Sequence, residues 1–479
     1  MLNVTEAQKT AFKTSSIDTQ LDIYFPSLNL HVGNDQIAQE NMVIKEALMS
    51  GDNIEFVGCI ASSFSTQIYN VQQDLKGQSV VVTIDRGETG SIPLFRGIVD
   101  SVQMQSSKAY KTITAYDALY TKGQIDIASW YNGLTFPITI KNFRDSLFTY
   151  IGLTQKTATL PNDNISIVKQ YEPKTLQCLS VLKYLCQING CFGIINRSGE
   201  FEYRFIHNAY PPIYPAVTLY PANDLFPREY DPNTGGGGIS DSFAYYKQID
   251  YQEYLVNPVE RLQIRASEDD VGVTVGNPSG NKYIIQNNMF AYGQDTATLT
   301  TMAKRIWKKI ANISFHPCDT ENQGLPYIEV GDVVSYALPT RNRTRGASND
   351  SSYLVNKFNV MSREIHGIQG IMDSYTAEGN QDQSEFVTDI QAQLETIKRN
   401  GVNMDDYYTK EEIDTTFDDY YTIEETDVAV EDITTEVIDT AIAEFEMPTG
   451  FNIESVYSLP SVRMANTLYL IQGGIVVIN

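Results

Sequence analysis

Ser79-Val80-Val81-Val82-Thr83-Ile84, followed by the turn signal Arg86-Gly87, is a β-branched run. Such a run, bounded by turn residues, reads as a strand. Outward from it, similar runs recur at Leu21–Phe25, Ile54–Val57, Thr66–Val71, Gly97–Gln103 and Tyr110–Ala115. Gly33-Asn34-Asp35 and Ser50-Gly51-Asp52-Asn53 punctuate them. Short strands at this spacing predict a sandwich or barrel over residues 1–122. Val43–Leu48 is read as an exception to the strand pattern.

The period changes over residues 123–210. Phe143, Leu147, Tyr150 and Ile151 share one helical face, and Gly152 is a natural stop. Leu176, Leu179, Leu182 and Cys186 form a second face, ending at Asn189-Gly190. Two strand-like runs follow, Cys191–Ile195 and Glu200–Ile206, so this stretch predicts a small α/β domain with a hairpin. A Pro- and Tyr-rich connector then leads to Gly235-Gly236-Gly237-Gly238. No Gly-Lys-Ser/Thr follows the glycines, so they do not read as a phosphate cradle.

Residues 211–380 return to β, with one helix. Leu299, Met302, Ile306 and Ile310 share its face, flanked by Lys304, Arg305, Lys308 and Lys309. The basic flank reads first as a solvated face, and second as a contact for an acidic partner. The predicted fold class is therefore mainly β with an α/β insert, an α+β multidomain chain. Two β-barrel-like domains flank the α/β domain.

The character changes again over residues 381–446. Val387, Ile390, Leu394 and Ile397 are spaced 3, 4 and 3, a short a/d seam. Then Asp405-Asp406-Tyr407-Tyr408-Thr409-Lys410-Glu411-Glu412-Ile413-Asp414 is echoed 13 residues later by Asp418-Asp419-Tyr420-Tyr421-Thr422-Ile423-Glu424-Glu425-Thr426-Asp427. In each copy Thr is placed to cap a helix whose first turn carries two Glu. Each unit is too short to fold alone and needs neighbours. Tyr407, Tyr408, Ile413, Phe417, Tyr420 and Tyr421 supply the apolar contact. Residues 447–479 end in the β-branched run Ile475–Ile478.

The chain of 479 residues carries a formal charge of −24. Residues 405–446 hold 16 acidic side chains and one basic one, leaving only −9 for the other 437 residues. Apolar residues make up 42%, a globular composition that excludes a disordered chain. Phosphate affinity needs clustered Lys and Arg, so stable binding of free DNA is not expected. The polar stretch Met1–Gln20 does not read as a secretory signal, and no apolar run of about 18 residues predicts a membrane span. Five cysteines without close pairs argue against a disulfide framework. Cys178, Cys186 and Cys191 read as small buried hydrophobes rather than metal ligands.

Chemistry-bearing motifs are scarce. His31, His207, His316 and His366 show no metal or triad spacing, and no Gly-x-Ser-x-Gly or His-Glu-x-x-His occurs. The acidic repeat lacks EF-hand spacing. No catalytic, metal or cofactor residue is assigned, and the chain is read as a non-enzyme.

Five groups of residues, in order, resemble the tail-tip hub proteins of tailed bacteriophages, the structural N-terminal part of tail-associated lysins and minor structural proteins. The first is Met42-Val43-Ile44-Lys45-Glu46-Ala47-Leu48 with Ile54-Glu55-Phe56-Val57-Gly58-Cys59-Ile60-Ala61-Ser62, where Val57 interrupts the usual Phe-Gly. The second is Ile113-Thr114-Ala115-Tyr116-Asp117-Ala118-Leu119. The third is Trp130-Tyr131-Asn132, Phe143-Arg144-Asp145-Ser146-Leu147 and Asn189-Gly190-Cys191-Phe192. The fourth is His316-Pro317-Cys318 with Leu325-Pro326-Tyr327-Ile328-Glu329-Val330-Gly331-Asp332. The fifth runs from Gly367-Ile368-Gln369 through Tyr375-Thr376-Ala377-Glu378-Gly379. The doubled Tyr-Tyr-Thr repeat is similar to stalk segments of tail fibres, and Ser458-Leu459-Pro460 with Ala465–Leu470 to fibre-linked ends.

The resemblance implies a homotrimer: a ring from residues 1–380 that closes the tail tube, a helical stalk at 381–446 and an end segment at 447–479. It also implies partners, namely the distal tail protein, the tube and tape-measure proteins, and receptor-binding or fibre proteins at the C-terminus. The location it implies is the tip of the virion tail, after synthesis in the bacterial host cytoplasm. In three copies the stalk would gather about −45, loosening it at low ionic strength where screening weakens. Lysin members continue into a peptidase or glycosidase domain, whereas 99 residues follow position 380 here. A wall hydrolase, a receptor-binding fibre and a hub of a contractile bacteriocin or injection system are the rival readings.

Overall fold

The computed structural model describes residues 2–206, 241–339, 353–379, 452–455, 467–471 and 474–478, apart from positions 15, 50–55, 57, 105–109, 170–171, 244–245, 253, 267–269 and 312. A helix α1 (Glu6–Lys13) precedes seven strands: β1 (Thr19–Phe25), β2 (Leu30–Val32), β3 (Ile37–Ala47), β4 (Ser63–Tyr69), β5 (Ser79–Arg86), β6 (Ile92–Met104) and β7 (Tyr110–Tyr116). Alternation makes them strands. In β5 the inward residues Val80, Val82, Ile84 and Arg86 are buried and the intervening ones are not.

The insert holds α2 (Ala118–Lys122), α3 (Ala128–Asn132), β8 (Ile138–Thr139), α4 (Ile140–Ile151), β9 (Ser166–Ile167), α5 (Cys178–Gln187), β10 (Phe192–Ile195) and β11 (Phe201–Arg204). The Thr139 hydroxyl caps α4 by accepting from the Asn142 N–H, and Gly152 ends it at φ 62°. That helix buries Phe143, Leu147, Phe148 and Ile151, each worth about 1.5–3 kcal/mol of burial. The sequence-predicted face of α5 is displaced slightly. Leu176 is buried just ahead of the helix, and Cys178, Val181, Leu182, Tyr184, Leu185 and Cys186 are its buried residues.

Beyond the insert come β12 (Asp241–Phe243), β13 (Gln248–Tyr251), β14 (Arg261–Ile264), β15 (Val273–Gly276), β16 (Lys282–Ile285), α6 (Thr296–Ile310), β17 (Cys318–Gln323), β18 (Val333–Pro339), β19 (Tyr353–Asn359), β20 (Ser362–His366) and β21 (Met372–Ala377). In α6 the face Leu299, Met302, Ile306 and Ile310 is buried, as its spacing predicts.

All seven strands of residues 19–116 and four of the later ones, β13, β17, β20 and β21, belong to a single sheet of eleven, in the order β13-β17-β21-β20-β3-β4-β7-β6-β5-β1-β2, while β14–β16 and β12 with β18 and β19 form two three-stranded sheets. The two β regions are spliced by antiparallel pairing of β20 with β3, Ser362 opposite Ala47 and His366 opposite Val43. The stretch Val43–Leu48, expected to interrupt the strands, is thus the second half of β3 through Ala47. Its inward positions are Met42, Ile44 and Glu46. The carboxylate breaks the apolar alternation on which the reading relied. Of the expected strand Ile54–Val57, only Phe56 lies among the described residues, in a turn.

The C-terminal unit is separate. Its strands β22 (Asn452–Ser455), β23 (Thr467–Ile471) and β24 (Gly474–Ile478) form a three-stranded sheet. β22 runs parallel to β23, and β23 antiparallel to β24.

Candidate functional site: a buried polar junction

Where β3, β20 and β21 lie side by side, charged residues occupy inward positions. Arg363 donates from Nε and Nη2 to the two carboxylate oxygens of Asp373, at 3.1 and 2.9 Å. It also donates to the carbonyls of Leu325, at 2.9 Å, and Ile328. Asp373 in turn accepts from the Leu325 N–H at 2.8 Å and the Tyr375 hydroxyl at 2.9 Å. Burial works against the Arg363 charge, but Asp373, with Tyr375 and Glu46, more than offsets it and raises the guanidinium above its ordinary value.

A second guanidinium reaches the same place from the hairpin after β10. Arg197 donates to the carbonyls of Pro326 and Ile328, the latter at 2.9 Å. Glu46 Oε2 lies 3.6 Å from both Arg197 and Arg363. It makes no hydrogen bond there, so charge alone holds it between two cations. Arg204 on β11 completes the cluster, 3.0 Å from Glu329 and 3.0 Å from Glu202. Burial works to raise the Glu329 carboxyl; Arg204 and Arg197 outweigh it and bring it down to about 2. A cleft of about 270 Å³ opens beside the network, lined among others by Lys45, Glu46, Arg363, Glu364, Ser374 and Thr376.

Other residues of the resemblance fasten neighbouring joints. The Ser62 N–H donates to Asp117 at 2.7 Å, and the Leu119 N–H, which Asp117 caps, at 2.9 Å. Burial pushes the Asp117 carboxyl up to about 7 despite these donors. Arg144 on α4 donates to both oxygens of Asp163 at 2.9 Å and to Gln155 at 2.7 Å. Gly193 N–H donates to the Gly58 carbonyl at 2.8 Å. The Gln369 side chain exchanges two hydrogen bonds with the Thr19 backbone. These are the bonds of a scaffold: Ser62 with Asp117, Gly58 with Gly193 and Thr19 with Gln369 join segments distant in sequence.

The sequence assigned no role to Arg197, Arg363 or Asp373. Each is a single charged residue in a short strand or turn, and only the partner, hundreds of residues away for Glu46 and Arg363, gives it meaning. His31, which shows no metal or triad spacing in the sequence, lies 2.9 Å from Asp22 across the β1–β2 hairpin, on the surface. His316 Nδ1 sits against the carbonyls of Gln252 and Tyr254. The expected stalk contacts Val387, Ile390, Leu394, Ile397, Tyr407, Tyr408, Ile413, Phe417, Tyr420 and Tyr421 lie outside the described residues. Among the described residues, no group of three His, Cys, Asp or Glu is placed to hold a metal ion.

No family model and no curated protein matches the chain. Solved structures to which the chain is similar include a tail protein from Neisseria meningitidis, at 11% identity and TM-score 0.41, covering 75% of this chain and 97% of that one. A 43 kDa tail protein of prophage MuSo2 from Shewanella oneidensis matches at 12% identity and TM-score 0.42, covering 74% and 97%. The prophage tail protein gp18 from Listeria monocytogenes matches at 11% identity and TM-score 0.43, covering 79% and 99%.

Proposed function

We propose that the chain is a non-enzymatic structural hub at the distal tip of a phage tail. Residues 1–380 act as a trimeric ring that closes the tube and opens for DNA. Residues 381–446 act as a stalk, and the C-terminal unit joins the host-attachment apparatus. One observation supports this reading. Residues from all five groups that carry the resemblance, among them Glu46, Asp117, Phe192, Ile328 and Asp373, take part in buried joints between segments. A buried, bonded junction gives a rigid body, which a load-transmitting ring needs.

The test is imaging of particles that carry a tag on the C-terminus, with light scattering on the purified full chain. Label at the distal end of the tail and a mass three times that of the chain are expected. Particles without label would overturn the reading. So would a cell-wall zymogram with a clear band that Glu or Asp substitutions abolish, which would make the chain a hydrolase.

A further inference from the structure

Four of the five cysteines gather around α5 and β10, and all five are buried. Cys59 forms an isolated parallel bridge with Gly193 on β10. Its Sγ lies 3.7 Å from Sγ of Cys186, the last cysteine of α5. The fit around the pair is tight. A Cβ on Gly193 would come within 2.7 Å of Cys59 Sγ, and one on Gly58 within 2.9 Å of Phe192. Glycine at both places lets Gly58 and Cys59 lie against β10 and brings the sulfurs into contact. Cys191 is also close, its Sγ 3.6 Å from the Cys186 carbonyl.

We propose that Cys59 and Cys186 are a latent disulfide site that, once oxidised, ties the first β region to the α/β insert. A disulfide needs a sulfur separation of about 2.05 Å, so side-chain rotation must shorten the contact. With a small-molecule disulfide as oxidant, the thiolate of one cysteine attacks it and expels one small thiol. The second cysteine then attacks the resulting mixed disulfide and expels the other. Two protein thiols lose two electrons and two protons, one S–S bond forms, and the oxidant's S–S bond becomes two thiols. Burial raises both protein thiols well above their ordinary value, and only the thiolate attacks. The closed junction therefore protects the pair, and oxidation proceeds through its transient opening. A reducing cytoplasm keeps the thiols free. Release from the cell exposes the protein to oxidant.

The experiment incubates the purified full chain with oxidised glutathione, in buffer and in urea just below the unfolding transition. Remaining thiols are then blocked with N-ethylmaleimide. Intact mass and peptide mapping read the product. Expected are two fewer N-ethylmaleimide adducts than on the untreated chain, a Cys59–Cys186 linked peptide, faster closure in urea, and a higher urea midpoint that reducing agent reverses. Cys318→Ser should leave the linkage in place and Cys59→Ser should remove it. A Cys186–Cys191 linkage, a stable glutathione adduct alone, or no loss of N-ethylmaleimide adducts in urea that allows full alkylation would each overturn the proposal. Peptide mapping of the unmodified sequence decides this even if Cys59→Ser fails to fold.

Discussion

Arg363 and Asp373 form a two-pronged ion pair between adjacent strands, at 3.1 and 2.9 Å, with both side chains fully buried. Both charges left water only because each found the other, Arg363 with two backbone carbonyls besides and Asp373 with the Leu325 N–H and the Tyr375 hydroxyl. Removing one leaves the other uncompensated. Asp373→Ala should cost about 3–5 kcal/mol in unfolding free energy. Arg363→Met with Asp373→Leu should cost less than the two single changes added together, because neither charge is stranded. Urea denaturation of the full chain measures both; additive losses would mean that the pair does not act as a unit.

Glu329 gives the junction an acid limit. Its folded value is depressed to about 2 against an ordinary 4.5. The unfolded chain therefore binds the proton more readily between those values. The stabilisation is fully present above about pH 4.5 and fades as pH falls toward 2, with a total on the order of 3 kcal/mol. Glu329→Gln should flatten the acid side of the stability curve while lowering stability at neutral pH. An unchanged acid slope in calorimetry would remove Glu329 from the account.

Asp117 acts in the opposite sense. Its folded value, raised by burial to about 7, means that the native state holds the proton longer than the unfolded chain. The carboxylate's penalty is absent below about pH 4, grows between pH 4 and 7, and is complete above pH 7. Its full size is up to about 4 kcal/mol. Asp117→Asn cannot ionise, so its stability relative to the parent should improve across that window. Thermal melts at pH 4.5 and 7.5 read the difference, and a constant offset would contradict it.

Two glycines should respond differently to alanine. At Gly152 the cost is conformational, since φ is 62° and the nearest atom to an added Cβ, at 3.6 Å, is the flexible end of Lys122. About 1 kcal/mol is expected. At Gly193 the backbone is ordinary, but the added Cβ would sit 2.3 Å from Phe201 and 2.7 Å from Cys59. Overpacking there should cost about 1–3 kcal/mol or more. Matching losses in chemical denaturation would mean that the two sites are not limited by different things.

The helices α4, α5 and α6 and most of the first-region strands are legible in the sequence, because each is written locally. Phe143 and Leu147, or Leu299 and Met302, repeat within one or two turns, and Gly152 marks a stop. The junction is not written locally. Arg363 alternates with Ser362 and Glu364 in a way that reads as three exposed polar residues. Only pairing with β3 shows that it faces inward, toward Glu46. The same holds for Cys59 and Cys186, 127 residues apart. Their contact depends on how the insert packs on the first region, which no period encodes.

The pairing of β3 with β20 also sets an order of events during synthesis. Val43 must wait for His366, more than 300 residues downstream. At roughly 5–20 residues per second, the ribosome leaves one edge of β3 without its partner for roughly 15–60 s. During that interval the nascent chain presents an open strand edge able to join with other chains. Lys45, exposed on that strand, places a charge on the waiting edge, the usual defence against such pairing. The splice that makes the finished sheet continuous is therefore also its most vulnerable moment, and dependence on chaperones should concentrate in the time before residue 366 emerges.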